Sequence, residues 1–371
     1  MSASRVLCPA RASPLARRGV RVDRASRALK PSLASSSSAR RAAIIMTASD
    51  HTAVLFDFDG TLGDTETPAM EVAFWELAPY FPEAAKPDGA SYLTDKTCAD
   101  YIRDNAGKAF EFMVDVVEED RKAAGLSSIE EARASAGEAP ATLAVVDAGR
   151  AKFGLPPLAE TRGLGKDILT LQKDETVDAL SVAAHPCDNV PGVLASLKAK
   201  GIPFCISTTS GKPRVPVSVV SCGYTEYFPP EKIHSGESDF DPPRFKPDPS
   251  VYLLAAKSED ADPKNCVAVE DSTSGVGSAA NANVGLIVGY VGGTHITEDR
   301  KTSHAGTLTA GGRSDDGRGA DIVIRDMVDL VPLVETFAAS AEMKDAAKKP
   351  VVFEKATLDA LKGEYWLPEG K

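Results

Sequence analysis

"VLFDFDGTLGDTE", residues 54–66, is an apolar run that breaks into two carboxylates one residue apart, followed by Gly60 and Thr61. The run predicts a short buried strand that ends at a polar turn. Residues i and i+2 of a strand share a face, so Asp57 and Asp59 would crowd like charges together. Such a pair calls for a positive charge between its members.

Working outward, "PAMEVAFWELAPYF" has helical spacing with Pro68 near its first turn, and the chain stays charged, alanine-rich and helix-patterned to about residue 184. Then "GVLASLKAKGIPFCISTTS" reads as helix, glycine stop and strand, "VPVSVVSCGY" as a helix, and "CVAVEDSTSG" as a strand running into acids. This alternation predicts an α/β fold: a Rossmann-like three-layer core with a parallel sheet, plus an inserted helical cap domain. The expected divisions are a leader at 1–46, a core at 47–67 and 185–337, a cap at 68–184 and an extension at 338–371. The Gly-, Thr- and Asp-rich stretch 292–319 is expected to be loop, followed by a last strand and a packing helix. Tyr365 and Trp366 are candidates to dock the polar tail on the body.

Ligands of open α/β sheets bind outside the carboxyl ends of the strands. Here those ends deliver Asp57 and Asp59, then Thr208, then Glu270 and Asp271, with Lys246 supplied by "FKPDPS". Singly, each has a bland reading as a turn or cap residue. As an ordered set they resemble the haloacid dehalogenase superfamily: an Asp-x-Asp-Gly-Thr opening, a Ser or Thr ending the next key strand, a lone Lys and a final acidic pair. The resemblance covers roughly 52–336, and the helical insert after the first motif is similar to that family's C1 cap, as in its β-phosphoglucomutase-like and phosphatase members.

The resemblance implies a phosphatase. Asp57 would be the nucleophile, splitting phosphoester hydrolysis into formation and breakdown of an aspartyl-phosphate. Asp59 would protonate the leaving oxygen and then take a proton from water. Mg²⁺, a hard ion that prefers oxygen ligands, would be held by the Asp57 and Asp271 carboxylates and the Asp59 carbonyl, with Glu270 supporting from behind. Lys246 and Thr208 would hold the transferring phosphoryl group, together with the Gly60 and Thr61 amides. Ser210 and Lys212 are candidates for a distal polar group of the substrate, and Lys96 and Arg103 for cap contacts or a solvated helix face. The implied substrate is a small phosphorylated metabolite, a sugar phosphate. A β-phosphoglucomutase-like mutase and a catalytically retired binding protein stay open as alternatives; dehalogenation has no use for an acid at Asp59.

Composition bounds the rest. The chain has 371 residues, 43% hydrophobic and 26% charged, as in an ordinary globular protein. No run approaches the roughly 18–20 apolar residues of a membrane-spanning helix, so a soluble monomer without a membrane partner is expected. Residues 1–46 hold nine Arg and Lys30 against Asp23, a net of +9, which leaves −20 for the remainder of a chain that totals −11. That Arg- and Ser-rich leader reads as an organellar transit peptide, for the chloroplast or alternatively the mitochondrion. The acidic remainder argues against nucleic acid. The five cysteines beyond the leader show no metal spacing and are expected to be reduced.

Overall fold

The computed structural model describes residues 50–105, 110–212, 214–345 and 349–370, so the reading of 1–46 as a leader lies outside the described residues. The strands are β1 (Val54–Phe56), β2 (Gly63–Asp64), β3 (His185–Pro186), β4 (Phe204–Thr208), β5 (Ile233–Ser235), β6 (Val267–Glu270), β7 (Leu286–Tyr290), β8 (Ile322–Ile324) and β9 (Tyr365–Trp366). Seven of them form one sheet in the order β5-β4-β1-β6-β7-β8-β9. It is parallel except for β9, which runs antiparallel to β8.

Alternate strand residues feed two apolar layers. Val54, Phe56, Ile206, Val267 and Val269 face the helices that carry Leu194, Val219 and Phe337. Ala53, Leu55, Cys205, Ala268 and Ile287 face those that carry Val251, Val276 and Leu308. A sheet buried on both faces reads as a continuous Val/Ile/Leu run, as "AVLF" and "CVAV" do. This is the three-layer α/β architecture expected.

Between β2 and β3 the described residues form seven α-helices: α1 (Glu66–Leu77), α2 (Asp95–Asn105), α3 (Phe110–Ala123), α4 (Ile129–Ser135), α5 (Pro140–Ala151), α6 (Leu158–Thr161) and α7 (Ile168–Ala183). They enclose their own apolar cluster around Phe74, Trp75, Met113 and Val146. Gly149 lets α5 close on α1, since a Cβ there would lie 2.2 Å from Trp75 Cε2. The two connections back to the sheet pair as a short ribbon, Gly63 with Pro186 and Asp64 with His185. Inside the helical unit, Arg150 Nη2 meets Glu175 Oε1 at 2.5 Å, both side chains buried. Glu76 is fully buried, and neither of its oxygens has a hydrogen-bond partner. Burial, then the neighbouring Glu175, pushes its carboxyl well above the usual range.

The α-helices that follow among the described residues are α8 (Val190–Ala199), α9 (Arg214–Ser221), α10 (Ser250–Ser258), α11 (Thr273–Asn281), α12 (Lys301–Thr309), α13 (Leu330–Ala339) and α14 (Lys355–Leu358). Helix α12 corrects the expectation of loop over 292–319. Only Ala305 and Leu308 of α12 are buried, so the helix rests on one i, i+3 pair, too small a stripe to stand out among its Thr, Ser and Gly. Beyond 338, Tyr365 and Trp366 do dock, as β9. Cys98, Cys187, Cys205, Cys222 and Cys266 are all free and buried.

Candidate active site

Pairing of β1 with β4 and β6 aligns Phe56 with Ile206 and with Val269. Just beyond this register, Asp57, Thr208 (one residue past Ser207) and the Glu270–Asp271 pair emerge at the carboxyl edge of the sheet's centre. The turn after β1 is tight: the Phe58 carbonyl accepts from Thr61, Leu62 and Gly63 N–H, and Gly60 N–H donates to the Gly63 carbonyl. None of these bonds uses the Asp59 carbonyl. Gly60 has φ +79°, and a Cβ on it would lie 2.2 Å from Asp271 Oδ2 and 2.5 Å from His295 Cε1. Only glycine fits.

Lys246 is buried, with Nζ 2.6 Å from Asp57 Oδ1 and 2.5 Å from Glu270 Oε1. Tyr252 also donates to Glu270 Oε1, at 2.6 Å. Ser272 donates to Oε2 at 3.3 Å and caps α11 by accepting from Gly275 N–H. Glu270 is thus spent on Lys246 and on the start of α11. Burial works against the charge of Lys246, but Asp57 and Glu270 outweigh it and hold the amine above its ordinary value. Burial pushes Asp57 well up; Lys246 relieves part of this, while Glu270, Asp271 and Asp59 add to it. One ammonium is too little for this many buried carboxylates.

Asp59 faces elsewhere. Its Oδ1 accepts from Thr65 Oγ1 at 2.5 Å and Arg214 Nη2 at 2.9 Å, and its Oδ2 from Ser210 Oγ at 2.5 Å. Burial raises its carboxyl, but Arg214, with Ser210 and Thr65, outweighs that and holds it below the usual range. Ser210, expected to meet a distal group of the substrate, therefore grips Asp59 here, and Lys212 Nζ is engaged by Asp239 at 2.7 Å. Thr208 Oγ1 accepts from Ser210 N–H, while the Thr61 hydroxyl is buried without a partner. Lys96 and Arg103 lie on α2 in ion pairs with Asp100 and, for Arg103, also with Asp104.

Two residues were missed. Arg214 stands at the start of α9, two positions after Lys212 in "SGKPR", and a cation-rich turn does not reveal which cation reaches the acid. His295, in the Gly- and Thr-rich segment after β7, has Nε2 3.1 Å from Asp271 Oδ2. Burial opposes its charge, but Asp271 outweighs it and raises the imidazole above its ordinary value.

The donor set fits a hard divalent cation. Asp57, Glu270 and Asp271 each offer an oxygen, all within 4.8 Å of one another. With Glu270 taken by Lys246 and Tyr252, Asp57 and Asp271 are the carboxylates of this group left to hold it.

Residues 51–283 match the family described as hydrolase, haloacid dehalogenase-like hydrolase. The chain is 32% identical over 95 residues to the 6-phosphogluconate phosphatase of Escherichia coli (strain K12), covering 26% of this chain and 41% of that protein. It is 34% identical over 122 residues to a probable pseudouridine-5'-phosphatase of Drosophila melanogaster, covering 32% and 50%. It thus spans half or less of the length of these curated relatives. Among solved structures, a conserved haloacid dehalogenase-like protein of unknown function from Agrobacterium tumefaciens superposes with a TM-score of 0.53 at 23% identity, over 77% of this chain and 98% of that one. That likeness concerns the fold.

Proposed function

Because the chain belongs to the haloacid dehalogenase-like hydrolase family, we propose that it is a phosphatase that hydrolyses a small phosphorylated metabolite, a sugar phosphate, with Mg²⁺ as cofactor. The observation that carries this reading is the buried Asp57 carboxylate 2.6 Å from Lys246, beside Asp271, at the carboxyl edge of the central strand. The names of the two curated relatives support phosphomonoester hydrolysis and leave the organic half of the substrate open.

In this reading Asp57 attacks phosphorus and the alkoxide of the metabolite leaves; water then cleaves the aspartyl-phosphate. Lys246 is placed to balance charge on the transferring group and to offset part of the burial that raises Asp57. Mg²⁺, held by Asp57, Asp271 and the Asp59 carbonyl, would supply the positive charge that a pocket of carboxylates lacks. Asp59, kept ionised by Arg214, is in the form that takes a proton from the attacking water. To protonate the leaving oxygen it must first be freed from Arg214. In this reading the helical unit is the cover over the site, and it meets the core through contacts such as Thr67 with Thr294 at 3.1 Å and Ser221 with the Ser181 carbonyl at 2.9 Å.

The test separates the two aspartates. With an acyl phosphate, whose leaving group needs no proton, Asp59→Asn should still be phosphorylated on Asp57 and then hydrolyse slowly, while Asp57→Asn should carry no phosphoryl group by intact mass. With phosphorylated sugars, Asp59→Asn should lose roughly 10²- to 10⁴-fold in turnover. Equal trapping by both variants, or phosphate on another residue, overturns the assignment. Isomer interconversion in place of phosphate release would point to a mutase.

A further inference from the structure

The segment that leaves β7 brings one imidazole to Asp271, and nothing in the proposed chemistry so far uses it. His295 Nε2 lies 3.1 Å from Asp271 Oδ2, and both side chains are nearly sealed from solvent, at 9% and 7% exposure. The other ring nitrogen, Nδ1, is buried with no hydrogen-bond partner. Its edge rests on two glycines: a Cβ on Gly60 would lie 2.5 Å from Cε1, and one on Gly293 would lie 2.8 Å from it. The turn after β1 and the segment after β7 are thus both shaped to admit this ring.

A ring packed merely to fill space has no need of its polar edge on a carboxylate. Of the ring's two nitrogens, the one with a partner is the one on Asp271. With the proton on Nε2, the imidazole donates to Asp271 and leaves Nδ1 as a bare lone pair, which costs less in a buried site than an unpaired N–H. Asp271 is one of the carboxylates left to hold a cation. Groups that orient metal-ligating carboxylates from behind set affinity, and their loss typically costs 10–100-fold in binding.

We propose that His295 is a positioning residue for the divalent cation: its Nε2–H fixes the Asp271 carboxylate in the orientation in which it ligates. This rests on the reading of Asp57 and Asp271 as the cation's holders. His295 touches neither phosphate nor nucleophile in this role, so its loss acts through metal affinity and leaves chemistry at saturating metal largely intact.

The test is calorimetric titration of the full chain with Mg²⁺, and with Mn²⁺ as a second probe, in the absence of substrate. His295→Leu should bind the ion 10- to 100-fold more weakly than the native chain. His295→Asn, whose amide is too short to reach Asp271, should weaken it to a similar degree. His295→Gln, whose amide occupies the place of Nε2–H, should stay within about threefold. Thermal midpoints in chelator identify a variant that has lost its fold, and the comparison of Gln with Asn, both polar and flexible, survives the loss of the Leu variant. Native-like affinity in Leu and Asn, or equal loss in Asn and Gln, overturns the role of His295 alone. A native chain that binds neither ion, or Asp271→Ala binding as the native chain does, overturns the cation site and this role with it.

Discussion

Replacing Lys246 with methionine removes the ammonium that Asp57 and Glu270 share and leaves its apolar stem. The Lys246 side chain is 3% exposed and that of Glu270 is 0% exposed, so solvent screens little of the interaction. Breaking a buried pair by deleting one partner costs about 3–5 kcal/mol, because the other charge stays buried and uncompensated. Unfolding entropy of about 2.1 cal/mol/K per residue gives roughly 0.7 kcal/mol/K for a body of this length, so the midpoint should fall by about 4–7 °C in chelator. Adding Glu270→Gln removes one of the stranded carboxylates and should restore much of that loss. Mg²⁺ should raise the midpoint of Lys246→Met by more than it raises that of the native chain, since the variant presents more uncompensated charge. Differential scanning calorimetry of the native chain, the single variant and the double variant reads all of these. A Lys246→Met midpoint within 1 °C of native in chelator, or a double variant less stable than the single, would refute the view that this lysine neutralises a buried excess of carboxylates.

The helical unit and residues 1–46 supply two more predictions. With its folded carboxyl raised above the ordinary glutamate value of about 4.3, Glu76 holds a proton that the unfolded chain has already released. Its contribution is therefore full below that value and is lost as pH rises toward the folded pKa, at about 1.4 kcal/mol per pH unit. Glu76→Gln should flatten this slope and unfold at a higher denaturant concentration than native at pH 8; an unchanged slope sinks the idea. For residues 1–46, N-terminal sequencing of protein from its native cells should find a start within several residues of Met46, and a mature start at Met1 or Ser2 would refute the transit reading.

What could be read in advance followed from local pattern. Asp57, Thr208, Lys246, Glu270 and Asp271 each stand at the end of an apolar run or in a short polar turn, and a parallel sheet gathers such ends at one edge. Their sequence neighbours sufficed to mark them. Arg214 and His295 reach the same pocket from loop and helix-start positions whose contacts depend on packing between distant segments. Glu76 was hidden for a related reason: in "EVAFWEL" it looks like the solvated acid of an amphipathic helix, and the packing of α2, α5 and α7 against α1 makes it a buried one. Helix α12 carries little apolar signal, and β9 is only two residues long, so its aromatics marked a docking point but not a strand.

The pairing of β9 with β8 has a consequence for solubility. Without residues 365 and 366, Ile322–Ile324 would present unpaired N–H and C=O groups along a buried-type Val/Ile strand, the kind of edge that recruits a second copy by strand addition. Asp321 ties the same border down: fully buried, it accepts from the N–H groups of Ile287 and Val351 and from Arg318. Because β9 follows every other strand of the sheet in sequence, that edge stays open on a growing polypeptide until residues 365 and 366 have been synthesised. A chain cut before residue 365 would keep Asp57, Lys246 and Asp271 at the carboxyl edge of the sheet and gain a self-adhesive flank, so its first failure would be aggregation.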